Sequence, residues 1–205
     1  MIPGITEVNF PSYATLHQAT ISFEEMGSRV ITTQVKIDGD VVPDFESEEW
    51  SLIYNNERFV LNTHTPQAAK DNTTRCSLID MTFVAYPETE LKRYFFIELS
   101  EVEVGTVIVD KYIASLRLNA QNFIEAFNRV LNYYFDGEFV IQVASGVTLS
   151  DEVKEVQIEY TYLWDVLPAL YDVYGLIWHI ESDPANERYI IRVGDSVDTI
   201  EGHIW

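Results

Sequence analysis

The residues best able to bind a transition metal are four histidines and one cysteine, and they are spread over the whole chain. They are His17, His64, Cys76, His179 and His203. The histidines show none of the HxH, HxxxH or HExxH spacings that bring two imidazoles to one metal ion, and a thiolate site needs more than one cysteine. We therefore predict no zinc site and no internal disulfide. Cys76, within CSLIDMTFVA, is predicted to be a small core residue.

Acidic residues are the other candidates for chemistry, because a glycosidase uses two carboxyl groups and calcium binds carboxylate oxygens. The candidate sets are Asp38, Asp40 and Asp44; Glu46, Glu48 and Glu49; and Glu98, Glu101 and Glu103. The aspartates lack the calcium-hand spacing of ligands and glycine, and in a chain with 33 acidic residues nearby pairs arise without a function. GxSxG, Walker and GxGxxG motifs are absent. We predict no catalytic, cofactor-binding or metal-binding residues, and no enzymatic activity.

The net charge of the chain argues against a protein that binds nucleic acid through contacts to the phosphates. Its 13 basic and 33 acidic residues give a formal net charge of -20, whereas phosphate binding needs clustered lysine and arginine. The N-terminal sequence MIPGITEVNFPSY has neither the basic region nor the apolar region of a secretory signal. The most apolar stretch, Tyr162 to Ile180, is interrupted by Asp165 and Asp172, so we predict no insertion into a membrane.

Strands are predicted from about Ala19 to Leu99, because apolar and polar residues alternate there. The clearest strands place on one face Ile31, Val35 and Ile37 of RVITTQVKI, and Ile79, Met81 and Phe83 of CSLIDMTFVA. A tight hairpin is predicted at Asn55, Asn56 and Glu57, between WSLIY and RFVLN. The polar segments DGDVVPDFESEE and THTPQAAKDNTT are predicted loops. This half is expected to form a β-barrel or a β-sandwich.

After Glu103 the pattern changes to alternating helices and strands. In NAQNFIEAFNRVLNYYF a helical stripe is predicted, with Asn119 as its N-cap and Gly137 just past its end. The stripe consists of Phe123, Phe127, Val130, Leu131 and Tyr134. The strands EFVIQV, VKEVQIEY and RYIIRV follow, and GVTLSDE joins the first two. YYFDGEFVIQV and YDVYGLIWHI share an aromatic helix end, a glycine and an apolar strand, which indicates a weak internal duplication.

The second helical segment contains a proline that a helix interior does not accommodate. Its apolar stripe is Leu163, Val166, Leu167, Leu170 and Tyr174; Gly175 ends the helix, and Leu176, Trp178 and Ile180 form one face of a strand. Either Asp165 is the N-cap of a short helix, or the helix begins near Thr161 and bends at Pro168. We favour the bend, because the stripe begins before the proline. Trp164 and Trp178 are predicted core or interface residues.

Five segments follow one another in an order that is typical of one family. They are EEWSLIYNNERFVLN, a polar loop containing Lys70, CSLIDMTFVAYPETELKRYFF, NAQNFIEAFNRVLNYYFDGEFVI and LWDVLPALYDVYGLIWHIE. In this order the chain resembles, from about Gln18 to Val193, the N-terminal half of the tail hub or tail-associated tip proteins of phages and prophages. Their fold is similar to that of baseplate hubs. The segments that carry this resemblance most specifically are ERFVLN, YPETELKRYFF and the helix–glycine–strand segment, and none of these is a catalytic motif.

The resemblance implies an architectural role. In this family a β-barrel related to the tail tube is interrupted by an α+β insertion, and three copies form a ring through which DNA passes without specific binding. The ring connects the tail tube or distal tail ring to tip structures or fibres. The implied location is the virion tail, assembled in the host bacterial cytoplasm. The implied fold class is α+β, with an N-terminal β-barrel or sandwich followed by an inserted two-helix α+β module.

The resemblance also implies a division of the chain into three parts. Residues 1–103 are expected to form the barrel-like hub domain and residues 104–195 the insertion module. Residues 196–205, which include DTIEGHIW, are expected to begin the return to the barrel in a longer protein.

A hub predicts self-association into a homotrimer, because edge strands and exposed aromatic residues need covering. The aromatic residues in question are Tyr94, Phe95, Phe96, Tyr133 and Tyr134. The alternative function is a carbohydrate-binding or receptor-binding module, in which surface aromatics beside carboxylates would form the site. A hydrolase that uses a carboxylate pair is a third possibility.

Overall fold

The fold is α+β, with a barrel-like sheet and a small helical module. The computed structural model describes residues 2–23, 27–39, 41–46, 49–65, 76–102, 107–111 and 114–196. The chain divides into two compact units, Met1–Thr89 and Glu90–Trp205. The predicted fold class is therefore confirmed. The predicted division at residues 103 and 195, which concerns an insertion into a longer barrel, stays a prediction.

The first unit is built on one antiparallel sheet of six strands with the order β1-β4-β5-β6-β3-β2. The strands are β1 (Ile5–Asn9), β2 (Ala14–Phe23), β3 (Arg29–Asp38), β4 (Ser51–Tyr54), β5 (Glu57–Thr65) and β6 (Cys76–Ala85). The helix α1 (Tyr86–Leu91) follows β6 and contains the boundary between the two units. The two edge strands, β1 and β2, are joined by residues 10–13 alone. The rings of Phe23 on β2 and Tyr54 on β4 lie 5.7 Å apart. This contact joins opposite ends of the sheet, which therefore curls into a barrel-like shape.

The inner face of this sheet is the one predicted from the alternation. Its buried residues include Ile31, Val35, Ile37, Ile79, Met81 and Phe83, together with Trp50, Leu52 and Phe59. Thr33 lies on the same face, and its hydroxyl donates a hydrogen bond to the carbonyl of Met81 at 3.3 Å. That bond satisfies a polar group that would otherwise be costly to bury. Cys76 is buried and is not part of a disulfide, as predicted.

The β4–β5 hairpin has a two-residue turn, which corrects the predicted three-residue turn. Glu57 is the first residue of β5 and pairs with Tyr54. Asn55 and Asn56 both have positive φ, at 48° and 65°. A type I′ turn needs positive φ at both central positions, and asparagine tolerates that conformation better than most residues.

Three further boundaries in the first unit correct the sequence prediction. Strands begin at Ile5 and not near Ala19, and β5 continues to Thr65, into the segment predicted as a loop. Residues 86–91 form α1 and not a strand. Pro87 cannot donate to a strand ladder but fits the first turn of a helix, and the Thr89 hydroxyl donates to the carbonyl of Ala85 at 3.4 Å. Residues 66–74 of the predicted loop lie outside the described residues.

Among its described residues, the second unit combines short sheets with three α-helices and the 3-10 helix Pro184–Asn186. Its elements are β7 (Glu98–Val102), β8 (Val107–Lys111), β9 (Ser115–Leu118), α2 (Ala120–Phe135), β10 (Phe139–Val143), β11 (Lys154–Gln157), α3 (Leu163–Val166), α4 (Pro168–Asp172), β12 (Ile177–Asp183) and β13 (Arg188–Gly194). In the three-stranded sheet β13 is central, parallel to β10 and antiparallel to β12. The two similar helix–glycine–strand segments thus supply its two edge strands. β9 pairs with β11, and β7 with β8.

The helix α2 forms as predicted. The side-chain oxygen of Asn119 accepts a hydrogen bond from the backbone N–H of Asn122 at 2.9 Å, so Asn119 is the N-cap. Phe123, Phe127, Val130 and Leu131 of the predicted stripe are buried, and Tyr134 is half-buried. Asp136 and Gly137 both adopt left-handed conformations and end the helix.

Replacement of Asn119 by alanine is expected to lower the free energy of unfolding of the second unit by about 1 kcal/mol, because the N–H of Asn122 loses its acceptor. Chemical denaturation followed by circular dichroism measures this loss. Asn119→Ser, which keeps a capping oxygen, is the matched control and should stay close to the parent. Equal losses in both variants would contradict the capping role.

The second helical segment is broken at Leu167, and not merely bent at Pro168. It begins after Tyr162, close to the predicted start at Thr161, and Asp165 is not its N-cap. Pro168 is the first residue of α4, where its missing N–H costs little. The break follows because Pro168 offers no N–H to the carbonyl of Trp164, which instead accepts from Leu167 at 3.2 Å.

Gly175 ends this segment as predicted. It has φ +69°, and its N–H donates to the carbonyl of Tyr171 at 2.8 Å. Lys154 on β11 donates from Nζ to the carbonyl of Val173 at 3.0 Å, a favourable place for a cation beside a helix C-terminus. The face formed by Leu176, Trp178 and Ile180 is buried, and the rings of Trp164 and Trp178 lie 5.8 Å apart in an edge-to-face contact. Both tryptophans are core residues. Across the described ranges, no helix has the length and apolar character needed to cross a membrane.

Candidate functional site

The described histidines lie on three different strands. His17 is exposed on β2; His64 on β5 stacks on Phe45 with 3.9 Å between ring centroids. His179 lies on β12 in the second unit, and His203 lies outside the described residues. Among the side chains that the structure describes, no three histidine, cysteine or acidic groups are arranged to hold a metal ion.

The described acidic candidates at the end of β3 and in the loop that follows it have local partners. Asp38 lies 2.8 Å from Lys36, and this hydrogen bond raises the pKa of the lysine. Asp44 accepts from the N–H of Glu46, and Glu49 accepts from Ser51 and Arg58. Asp40, Glu48 and Glu103 lie outside the described residues, as do the side chains of Glu98 and Glu101. The described candidates thus form turns and surface ion pairs.

The sequence interpretation missed two glutamates of the first unit, of which Glu88 is buried and Glu57 is half-buried. Glu57 lies 2.5 Å from the guanidinium of Arg29, and Glu88, only 3% exposed, accepts a hydrogen bond from Ser28 Oγ at 2.8 Å. Burial raises the pKa of Glu57 to about 7, although the nearby Arg29 acts to lower it. The residue follows two asparagines and was therefore assigned to an exposed turn. The ion pair joins the β4–β5 hairpin to the beginning of β3.

A polar network crosses the three-stranded sheet of the second unit. Arg192 on β13 donates to Gln142 on β10 at 3.3 Å and to Glu181 on β12. Glu181 also lies 3.5 Å from His179. Cross-strand pairs of this kind stabilise a sheet; β10 and β13 each contribute one member to the network and β12 contributes two.

The aromatic residues predicted to be exposed are mostly covered, which corrects that prediction. Phe96 is buried and its ring lies 5.5 Å from that of Phe127. Tyr94 is half-buried and stacks on Tyr134 at 4.5 Å. Of the predicted set, Tyr133 alone is classed as exposed.

A different group of three rings, two of them exposed, lies together in the second unit. We call Phe95, Tyr160 and Tyr162 the aromatic corner. Tyr162 stacks on Phe95 with 4.3 Å between centroids and 17° between planes, and Tyr160 meets Phe95 nearly at right angles, at 6.4 Å and 84°. Tyr160 is 68% exposed and Tyr162 is 38% exposed.

Backbone hydrogen bonds bring these distant segments together. The N–H of Phe96 donates to the carbonyl of Thr161, and the N–H of Leu163 donates to the carbonyl of Tyr94, both at 2.9 Å. Phe95 and Tyr162 therefore face each other as an antiparallel bridge. The backbone thus places the two residues opposite each other, where their rings stack.

Tyr160 occupies a backbone position that does not suit its side chain. The N–H of Thr161 donates to the carbonyl of Ile158 at 3.3 Å, so residues 158–161 form a four-residue turn, and Tyr160 has φ +49°. Glycine or asparagine is the usual choice for positive φ at this place in a turn. A tyrosine there costs about 1–2 kcal/mol relative to an ordinary conformation.

The chain segment that carries Tyr160 and Tyr162 is acidic. Residues 151–172 carry six exposed acidic side chains: Asp151, Glu152, Glu155, Glu159, Asp165 and Asp172. The same range has a single basic residue, Lys154, which is bound to the carbonyl of Val173 and lies 3.4 Å from Glu152. Near Phe95, Arg93 pairs with Glu90 at 3.0 Å, and Lys92 lies over the ring of Trp164 at 5.8 Å.

Comparison with solved structures identifies the fold. The Escherichia coli c3393 protein, described as a component of the type VI secretion system that is structurally similar to the bacteriophage T4 tail proteins gp27 and gp5, matches with a TM-score of 0.52 at 9% identity. The match covers 90% of this chain and 49% of that protein, so the chain spans about half the length of its structural relative.

A second match is the prophage tail protein gp18 from Listeria monocytogenes EGD-e. Its TM-score is 0.45 at 13% identity, over 91% of this chain and 45% of that protein. No protein-family model and no curated protein matches the sequence. On the c3393 match, the predicted resemblance to tail hub proteins is confirmed at the level of the fold: the chain shares the fold of a protein that is itself described as similar to phage tail proteins.

Proposed function

We propose that this chain is a structural component of a phage-type tail tip or baseplate hub. The observation that carries the proposal is the shared fold, which extends over 90% of the chain and thus over both compact units. The order of sequence segments from Gln18 to Val193 independently resembles the same class of protein. A role in assembly, and not in catalysis, accounts for both observations.

In this proposal three copies form a ring that connects the tail tube or distal tail ring to tip or fibre proteins. The barrel-like part of residues 1–103 would line the ring, residues 104–195 would form the insertion outside it, and residues 196–205 would lead back to the barrel. The place of action would be the virion tail, after assembly in the bacterial cytoplasm.

The net charge of -20 supports passage of DNA without binding. Each lysine or arginine contact with a phosphate adds affinity and therefore resists sliding, so a channel wall should be neutral or acidic. Three copies carry 3 × 20 negative charges, about -60 in total. At physiological salt this repulsion is screened beyond about 8 Å, so contacts between apolar strand edges can still hold a ring together.

Sedimentation of the chain over a range of salt concentrations tests the assembly. We expect a species three times the mass of the 23.6 kDa chain at high salt, and weaker association at low salt, where repulsion is less screened. A filter-retention assay with duplex DNA should show no binding at any salt concentration. A chain that stays monomeric throughout, or DNA retention that strengthens as salt falls, would contradict the proposal of an acidic ring.

A further inference from the structure

We propose that the aromatic corner of Phe95, Tyr160 and Tyr162, with the exposed acids Glu159 and Asp165 of the same chain segment, binds an arginine-rich segment of a partner polypeptide. This inference is independent of the proposed ring, because it concerns a surface formed entirely within the second unit. It rests on the geometry of the rings, the distribution of charge and the backbone conformation of Tyr160.

The ring geometry suits a guanidinium group. Arginine stacks on aromatic faces, and its planar set of N–H donors matches carboxylates. Tyr160 and Tyr162 present exposed rings, and these are nearly perpendicular, because Tyr162 is parallel to Phe95 and Tyr160 is not. Glu159 and Asp165 are exposed acids on the same segment. One ring can therefore stack on the guanidinium while a carboxylate accepts from its edge.

The charge distribution identifies a basic partner. Residues 151–172 hold six exposed acids, and their one lysine is already bound to a helix carbonyl. An acidic partner would be repelled by this surface. A neutral partner would use the rings but leave the carboxylates without ion pairs, whereas an arginine-rich segment uses both features and is attracted from a distance by the charge of the whole chain.

The conformation of Tyr160 indicates that a tyrosine occupies this position because of what its ring does, since the turn itself would favour glycine. A glycine at this position would relieve the backbone, yet the chain has a tyrosine whose ring is largely exposed. Residues in unfavourable backbone conformations are found preferentially at binding sites, where the contact made by the side chain compensates for the conformation. Tyrosine is also enriched among the residues that dominate binding energy at interfaces.

The test is fluorescence anisotropy with the full chain and a labelled peptide of alternating arginine and glycine. We expect saturable binding, and about tenfold weaker binding by Tyr160→Gly, because loss of a dominant interface aromatic typically costs that much. Tyr160→Gly keeps the net charge and should melt at the same temperature as the parent or higher. Tyr160→Asn, which also tolerates positive φ, provides a second variant if the glycine variant folds poorly.

Matched controls distinguish peptide binding at the aromatic corner from nonspecific electrostatic attraction to an acidic protein. Tyr133→Ala removes an exposed tyrosine from α2, and Glu125→Gln removes an exposed acid from the same helix; both should bind the peptide as the parent does. Glu159→Gln combined with Asp165→Asn should weaken binding. A lysine–glycine peptide should bind less tightly than the arginine peptide, because an ammonium group lacks the planar donors.

Three results would overturn the inference. The first is an arginine peptide that does not bind saturably, and the second is Tyr160→Gly binding as tightly as the parent. The third is saturable binding of an uncharged oligosaccharide that Tyr160→Gly abolishes, which would assign the surface to a glycan and favour the carbohydrate-binding alternative.

Discussion

Phe127→Ala is expected to lower the free energy of unfolding of the second unit by about 3–5 kcal/mol. Phe127 has no exposed surface, and its ring lies 5.5 Å from that of Phe96 and 6.2 Å from that of Phe123. Truncation therefore removes buried apolar area and leaves a cavity between rings that backbone elements hold in place. Leu170→Ala, at a fully buried position on α4, is expected to cost about 2–5 kcal/mol for the same reason.

Chemical denaturation followed by near-ultraviolet circular dichroism measures this effect, because the contacting Trp164 and Trp178 report on the second unit. Asn132→Ala is the matched control: Asn132 lies on the exposed face of α2, and the hydrogen bond from Asp136 goes to its backbone carbonyl. That variant should unfold within about 0.5 kcal/mol of the parent. If Phe127→Ala has the same free energy of unfolding as Asn132→Ala, the buried stripe of α2 does not contribute to the stability of the second unit as expected.

The features predicted correctly from the sequence are those that a short window determines. The burial of Phe127 follows from the helical spacing of its neighbours, and the burial of Ile31 from the alternation in β3. Gly175 signals a helix end through its own conformational freedom. Such patterns need no knowledge of what packs against them.

Features that depend on distant partners were not predictable in this way. β1 has only Ile5 buried and an exposed Val8, so its sequence lacks an alternating core face; it is a strand because it pairs with β4. The burial of Glu57 likewise depends on β3, which contributes Arg29. Neither partner can be inferred from the local sequence.

The aromatic corner shows the same limitation. Phe95 belongs to a segment that was predicted to be exposed together with Phe96, while Tyr160 and Tyr162 were assigned to the end of a strand and the start of a helix. The hydrogen bond between Phe96 and Thr161 brings the segments together. Positive φ at Tyr160 has no signature in the sequence, because residues that favour that conformation are absent there.

The second large expected effect concerns the half-buried ion pair of Glu57 and Arg29 in the first unit. Burial raises the pKa of Glu57 from the ordinary value of 4.5 to about 7, and the attraction of Arg29, 2.5 Å away, opposes this only in part. The folded state thus holds the proton of Glu57 more tightly than the unfolded chain does. The stabilisation that comes from this tighter proton binding by Glu57 is fully present below about pH 4.5 and is lost as the pH rises towards 7. The loss amounts to about 3 kcal/mol, from roughly 1.4 kcal/mol for each pH unit between the two values.

Glu57→Gln tests this expectation, because glutamine resembles the protonated acid and keeps an oxygen that can accept from Arg29. Denaturation of parent and variant is compared between about pH 5.5 and pH 8, above the range in which ordinary carboxyl groups titrate. The informative quantity is the difference in unfolding free energy between variant and parent, because contributions that the two proteins share cancel in it. The free energy of unfolding of Glu57→Gln, relative to that of the parent, should increase by about 2 kcal/mol as the pH rises through this interval. A variant that is less stable than the parent by a constant amount at every pH would show that the ion pair with Arg29 outweighs the burial of Glu57, and would contradict the raised pKa.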